Sequence, residues 1–121
     1  MLSVIFNLKT NTGKNLEFLQ TIGSIIIDIR KIEGCKSIDF KQNDNFKGQF
    51  YLQLNIESKN LMMVLLDTNE FGIFQGAIQV LCEPPIIEIR AGDKVLNIDS
   101  GKNRNTNLSD QIISEFRMIH K

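Results

Sequence analysis

Polar residues recur at Glu17, Thr21, Ser24, Asp28 and Lys31, at steps of four, three, four and three. Leu19, Ile22, Ile26 and Ile29 fill the other side, widened by Phe18, Ile25 and Ile32. This 3.6-residue period, held over about five turns, predicts an amphipathic helix that begins near Lys14 or Asn15. Its β-branched isoleucines are weak helix formers on their own, so packing must hold it in place. The period stops at Gly34, which reaches the left-handed backbone of a helix stop at little cost. From Cys35 the pattern changes to alternation, with Ile38 and Phe40 on one face and Ser37, Asp39 and Lys41 on the other. A long helix running straight into a strand constrains the fold more than any other feature of the chain.

The flanking segments complete the order. Leu2 to Leu8 is a β-prone run, followed by turn chemistry at Asn11-Thr12-Gly13. Asn43-Asp44-Asn45 through Gly48 forms a hairpin connection. Gln49 to Ile56 alternates cleanly, with Phe50, Leu52, Leu54 and Ile56 against Gln49, Tyr51, Gln53 and Asn55. Ser58 suits a helix cap before a short helix over Leu61 to Leu66. Thr68 or Asn69 caps a longer helix through Phe71, Phe74, Ala77, Ile78 and Leu81, which Pro84-Pro85 stops. Ile86 to Arg90 is a further strand.

The order β-α-β-β-α-β predicts an α+β, ferredoxin-like antiparallel sheet with helices on one face. The other face is either wet or met by another subunit. Residues 1–91 form this domain, and 92–121 form a C-terminal extension. In the extension, Lys94 to Asp99 is a candidate fifth strand and Ser100 to Asn105 a mobile polar loop. Leu108, Ile112, Phe116 and Ile119 mark a terminal amphipathic helix.

Composition limits the function classes. A chain of 121 residues suits one domain with a modest core. Its 14 basic and 14 acidic residues are scattered and cancel, so no basic field holds nucleic acid. No apolar run spans a bilayer. Met1 to Phe6 lacks the basic start and cleavage site of a signal peptide and reads as a strand, so a cytoplasmic protein is expected. Cys35 and Cys82 are too few for a disulfide framework and read as small buried thiols. Gly13, Gly48 and Gly76 make no phosphate-binding loop.

A set of marks in order suggests a family. Gly13 precedes the first helix, Phe18-Leu19 lies within it and Ile32-Glu33-Gly34-Cys35 ends it. Ile56-Glu57-Ser58, Leu61, Glu70-Phe71, Gly76-Ala77, Leu81 and Pro85-Ile86-Ile87 follow. This pattern resembles the antibiotic-biosynthesis-monooxygenase-like proteins, a branch of the dimeric α+β barrels. The resemblance implies a homodimer in which two sheets meet through their helix-free faces. It also implies a pocket between sheet and helices, where Ile56, Met62, Leu65, Phe71 and Phe74 would line the substrate. The implied activity is cofactor-independent monooxygenation of a small aromatic or quinol, with no cofactor and no metal expected. The alternative is a non-catalytic ligand-binding or interaction module on the same barrel.

Some family positions differ here. The Trp common two residues before the Ser is Ile56, and the pocket His near Val64 or Leu65 is absent. Haem degradation, which in relatives combines a strand Asn with that Trp and His, is disfavoured because iron lacks an axial His. The residues left for chemistry are Asn7, as a donor to a substrate oxygen, and Tyr51, as a donor or proton relay. Either also has a plain structural account, as a strand-end amide bonded to backbone or a cross-strand ring. His120, the sole histidine, reads as a tail residue. Asp39, Asp67 and Glu70 read as solvated charges rather than an acid–base pair.

Overall fold

The computed structural model describes residues 1–102 and 107–119. Its elements are β1 (Leu2–Lys9), α1 (Asn15–Arg30), β2 (Cys35–Gln42), β3 (Gln49–Ile56), α2 (Lys59–Leu66), α3 (Asn69–Leu81), β4 (Ile86–Ala91), β5 (Lys94–Asp99) and α4 (Leu108–Ile119). A short 3-10 turn, Ser100–Lys102, follows β5. The sheet runs β2-β3-β1-β4-β5 and every neighbouring pair is antiparallel. Its first four strands have the order of a split pair of βαβ units. The expected four-stranded sheet is thus extended by β5, which pairs along the edge of β4 from Ile86↔Asp99 to Ala91↔Lys94.

Alternation along the strands sorts the residues onto two faces. Leu2, Val4, Phe6 and Leu8 of β1 turn toward the helices, with Phe50, Leu52, Leu54 and Ile56 of β3 and Ile87 and Ile89 of β4. Phe18, Ile22, Ile25, Ile26 and Ile29 of α1 cover them. Two aromatic groups anchor this layer. Phe18 lies 5.2 Å from Phe50, which stacks on Phe40 at 5.5 Å. Phe6 meets Phe74 edge-on at 5.2 Å, a geometry the ring quadrupoles favour.

The helix ends follow the sequence signals. Ser58 accepts a hydrogen bond from the Leu61 N–H, and Thr68 accepts one from the Phe71 N–H. Gly34 sits at φ +91°, and the Glu57 N–H donates to its carbonyl at 2.9 Å. A Cβ on Gly34 would lie 2.6 Å from the Leu61 Cβ, so this residue also permits the close approach of α2.

The C-terminal elements share the same core. Leu108, Ile112 and Phe116 are buried within it. The Ser109 hydroxyl donates to the Leu66 carbonyl, while the Gln75 side-chain oxygen accepts from the Ser109 N–H at 2.9 Å. These bonds tie the start of α4 to both α2 and α3. The loop expected from Ser100 begins differently, because Ser100 is buried and its N–H donates to the Pro85 carbonyl. Residues 103 to 105 of that loop and His120 lie outside the described residues.

Both cysteines are free. Burial pushes the Cys82 thiol up to about 12 from its ordinary 9.0. Burial also raises Cys35, partly offset by the Arg30 charge. A thiol whose folded pKa is raised favours the folded state below its ordinary pKa and loses that contribution as pH climbs toward the folded value.

Two outcomes are expected. Gly34→Ala should destabilise the protein by about 2–3 kcal/mol in urea denaturation, combining left-handed strain with overpacking. Gly92→Ala, at φ +60° with open space around it, supplies the comparison and should cost only about 1 kcal/mol. An equal cost for both would remove the Leu61 contact from the account. In thiol titration at pH 8, Cys82 should react at least about tenfold more slowly than Cys35, and denaturant should erase the gap.

Candidate functional site

The helix-free face of the sheet is mostly polar, and its centre is tied together. The Tyr51 hydroxyl donates to the Gln53 side-chain oxygen at 2.5 Å. The Gln53 amide donates to Asn55 Oδ1 at 2.9 Å, which also accepts from the Ser3 hydroxyl at 2.7 Å. The Asn55 amide continues the chain to the Ser37 hydroxyl at 2.8 Å. This ladder crosses β3, β1 and β2 and satisfies each polar group along it. Beside it Ile5 is only 2% exposed although it lies on the helix-free face, opposite Gln53 and Glu88. On β4 of the same face, Arg90 Nε and Glu88 form an ion pair at 2.6 Å.

At one end of this face the strands leave a cleft of about 510 Å³. Register builds its floor. Tyr51 pairs with Lys41 on one side and with Asn7 on the other, and Asn7 pairs in turn with Ile86. The row Lys41–Tyr51–Asn7–Ile86 therefore crosses β2, β3, β1 and β4 with side chains on one face. Lys9 and Gln49, the next pair of that face, also line the cleft.

The walls come from the connections. The Glu83 N–H donates to the Lys9 carbonyl at 2.8 Å, which seats Glu83 and Pro84 beside the end of β1. Lys9 Nζ then lies 3.5 Å from the Glu83 carboxylate. Across the cleft, the Asn43 N–H donates to the Gln49 carbonyl, and Asn43 Oδ1 accepts from the Asn45 N–H, fixing the hairpin turn.

The structure brings Asn7 and Tyr51 together as direct cross-strand neighbours in this cleft. Asn7 is exposed, and its side chain has no hydrogen-bonding partner among the described residues, so its amide faces solvent rather than local backbone. Ile56, Met62, Leu65, Phe71 and Phe74 lie elsewhere, each 0% exposed within the core beneath the helices. Asn7 and Phe6 point to opposite faces of β1, and Phe6 touches Phe71 and Phe74. The five apolar residues and the Asn7–Tyr51 pair are thus separated by the sheet and cannot contact one ligand together. Of the acidic candidates, Asp39 lies on the helix-free face, while Asp67 and Glu70 flank Thr68 at the α2–α3 junction.

Lys41, Lys9, Ile86 and Glu83 join the cleft without having been candidates for its chemistry in the sequence. Alternation alone places Lys41 on the polar face of β2, but its neighbourhood with Tyr51 follows only from the order β2-β3-β1. Chemically, the cleft offers the Asn7 amide as donor and acceptor, the remaining lone pair of the Tyr51 oxygen, two ammonium groups and an apolar wall at Pro84 and Ile86. Among the described residues, no group of three or more His, Cys, Asp or Glu could hold a metal ion. No helix among them is long and apolar enough to cross a membrane.

No protein-family model and no curated relative matches the chain. Solved structures do share its fold. A candidate antibiotic biosynthesis monooxygenase from Nitrosomonas europaea superposes with a TM-score of 0.70 at 16% identity, over 78% of this chain and 100% of that one. A candidate antibiotic biosynthesis monooxygenase from Deinococcus radiodurans gives 0.67 at 18% identity, over 81% of this chain and 98% of that one. A conserved protein from Methanosarcina mazei gives 0.66 at 19% identity, over 74% and 89%. This chain therefore has the ferredoxin-like α+β fold found in structures named as antibiotic biosynthesis monooxygenases, with a fifth strand and a fourth helix in the same core.

Proposed function

We propose that this protein is a small-molecule oxygenase that works as a homodimer, with the Asn7–Tyr51 cleft as its substrate site. The observation that carries this reading is the direct pairing of Asn7 with Tyr51 on the floor of the cleft. The substrate is a small aromatic or quinol. Such a substrate supplies its own electrons: its anion reduces O2, a carbon–oxygen bond forms, the O–O bond breaks, and a CH2 group plus O2 becomes a carbonyl plus water. The Asn7 amide donates to the substrate oxygen on which negative charge grows. The Tyr51 hydroxyl, already donating to Gln53, accepts from a substrate hydroxyl and so fixes its orientation.

Pairing two helix-free faces would close the cleft from bulk water, which strengthens these hydrogen bonds. Ile86 and Val95, 44% and 51% exposed on that face, support its being covered by a second copy. A face whose polar groups are already bonded to one another loses little when it is desolvated.

A second reading, a non-catalytic ligand-binding or interaction module, is favoured by one observation. The residues matching the family's inner pocket are filled, tightly packed core. In that case the cleft binds its ligand without turnover.

Oxygen-electrode assays with a quinol panel separate the two. The oxygenase should consume O2 above buffer, and Asn7→Ala should lower kcat/KM by about 100-fold, as for loss of an oxyanion donor. No uptake across the panel by a folded protein would leave the binding module. Light scattering should show a dimer at micromolar concentration, and Gln53→Lys, which sets like charges near each other across a two-fold interface, should dissociate it. A monomeric wild-type protein would overturn the paired-face arrangement.

A further inference from the structure

The cleft carries more positive than negative charge, and the surplus sits on one residue. Lys9 and Glu83 neutralise each other at 3.5 Å on its wall. Lys41 also lines the cleft but has no ion-pair partner among the described residues. Two further acidic residues of the helix-free face do not line it. Asp39 lies two positions back along β2, and Asp99 lies beyond Ile86 on β5. Lys41 is the cross-strand partner of Tyr51, so its Cβ lies about 5 Å from that of the tyrosine, a spacing typical of paired residues in a sheet.

From this arrangement we infer that the ligand of the cleft is a small aromatic acid, with a carboxylate or acidic phenol received by Lys41. The anionic group meets the Lys41 ammonium at the β2 end of the row. The flat body lies along Tyr51 toward the apolar wall of Pro84 and Ile86, and a polar substituent reaches the Asn7 amide between them. A neutral molecule of the same shape keeps the apolar and Asn7 contacts and loses the ion pair. The Lys9–Glu83 pair, by contrast, adds no net attraction for an anion. This inference rests on the cleft being the ligand site and is independent of whether the protein catalyses oxidation.

The test is calorimetric titration of the full chain with 6-hydroxy-2-naphthoate and with neutral 6-hydroxy-2-naphthamide at low salt. Naphthoate should bind at least about tenfold more tightly, a difference within reach of one partly exposed ion pair and its hydrogen bonds. Lys41→Met, a change at an exposed side chain that leaves the core untouched, should abolish that preference by lowering naphthoate affinity about tenfold more than naphthamide affinity. Lys9→Met should reduce naphthoate affinity less than Lys41→Met does. Equal affinity for the two probes, a preference that survives Lys41→Met, or binding of neither probe would each overturn the inference. A naphthoate preference without any oxygen uptake would sustain it and sink the oxygenase reading alone.

Discussion

Everything in this structure depends on the register of β1 between β3 and β4. The side-chain period of a strand is two, so a slip of one residue would carry Phe6 to the polar face and Asn7 into the core. The hydrophobic layer resists that slip. Val4, Phe6 and Leu8 must stay beneath Phe18, Phe71 and Phe74, where nearly every side chain is fully buried. The same register then fixes which polar residues become neighbours on the opposite face. Core packing on one side of the sheet thereby sets the geometry of the cleft on the other, and Leu8 and Phe50 belong both to the core and to the cleft lining.

The architecture was largely legible from local patterns. The α1 period, the Gly34 stop, the Ser58 and Thr68 caps and the alternation of β3 are local signals, each written within one continuous stretch of the chain. The cleft is of a different kind. Asn7 and Tyr51 could be chosen for their chemistry, but their contact joins strands far apart in the chain, and no local pattern records it. The resemblance drew attention to Ile56, Met62, Leu65, Phe71 and Phe74, which the fold places on the other side of the sheet. Lys41 was readable as a polar-face residue of β2 and gained its meaning only from the lateral order of strands. The same holds for Ser109, whose hydroxyl ties α4 to Leu66 across 43 positions in a way that amphipathic spacing does not disclose.

The polar ladder Tyr51–Gln53–Asn55 with Ser3 and Ser37 serves two ends at once. It orients the tyrosine on the floor of the cleft, and it lets a broad polar surface exist beside a fully buried Ile5. Because its members bond mainly to one another, the surface keeps its shape without relying on water, and a change at Asn55 would be felt at Tyr51 through Gln53.

The sheet order also has a kinetic meaning. β1 is made well before either strand that flanks it, since Leu2 must wait for Ile56 and then for Ala91. Until β4 leaves the ribosome, β1 has an unpaired edge and its Ile5 has no cover from Glu88. Closure of the sheet therefore comes late in synthesis, and the loop that it closes is long. β5 follows next in the chain and pairs along the β4 edge, so in the finished sheet β1, β3 and β4 have no free edge.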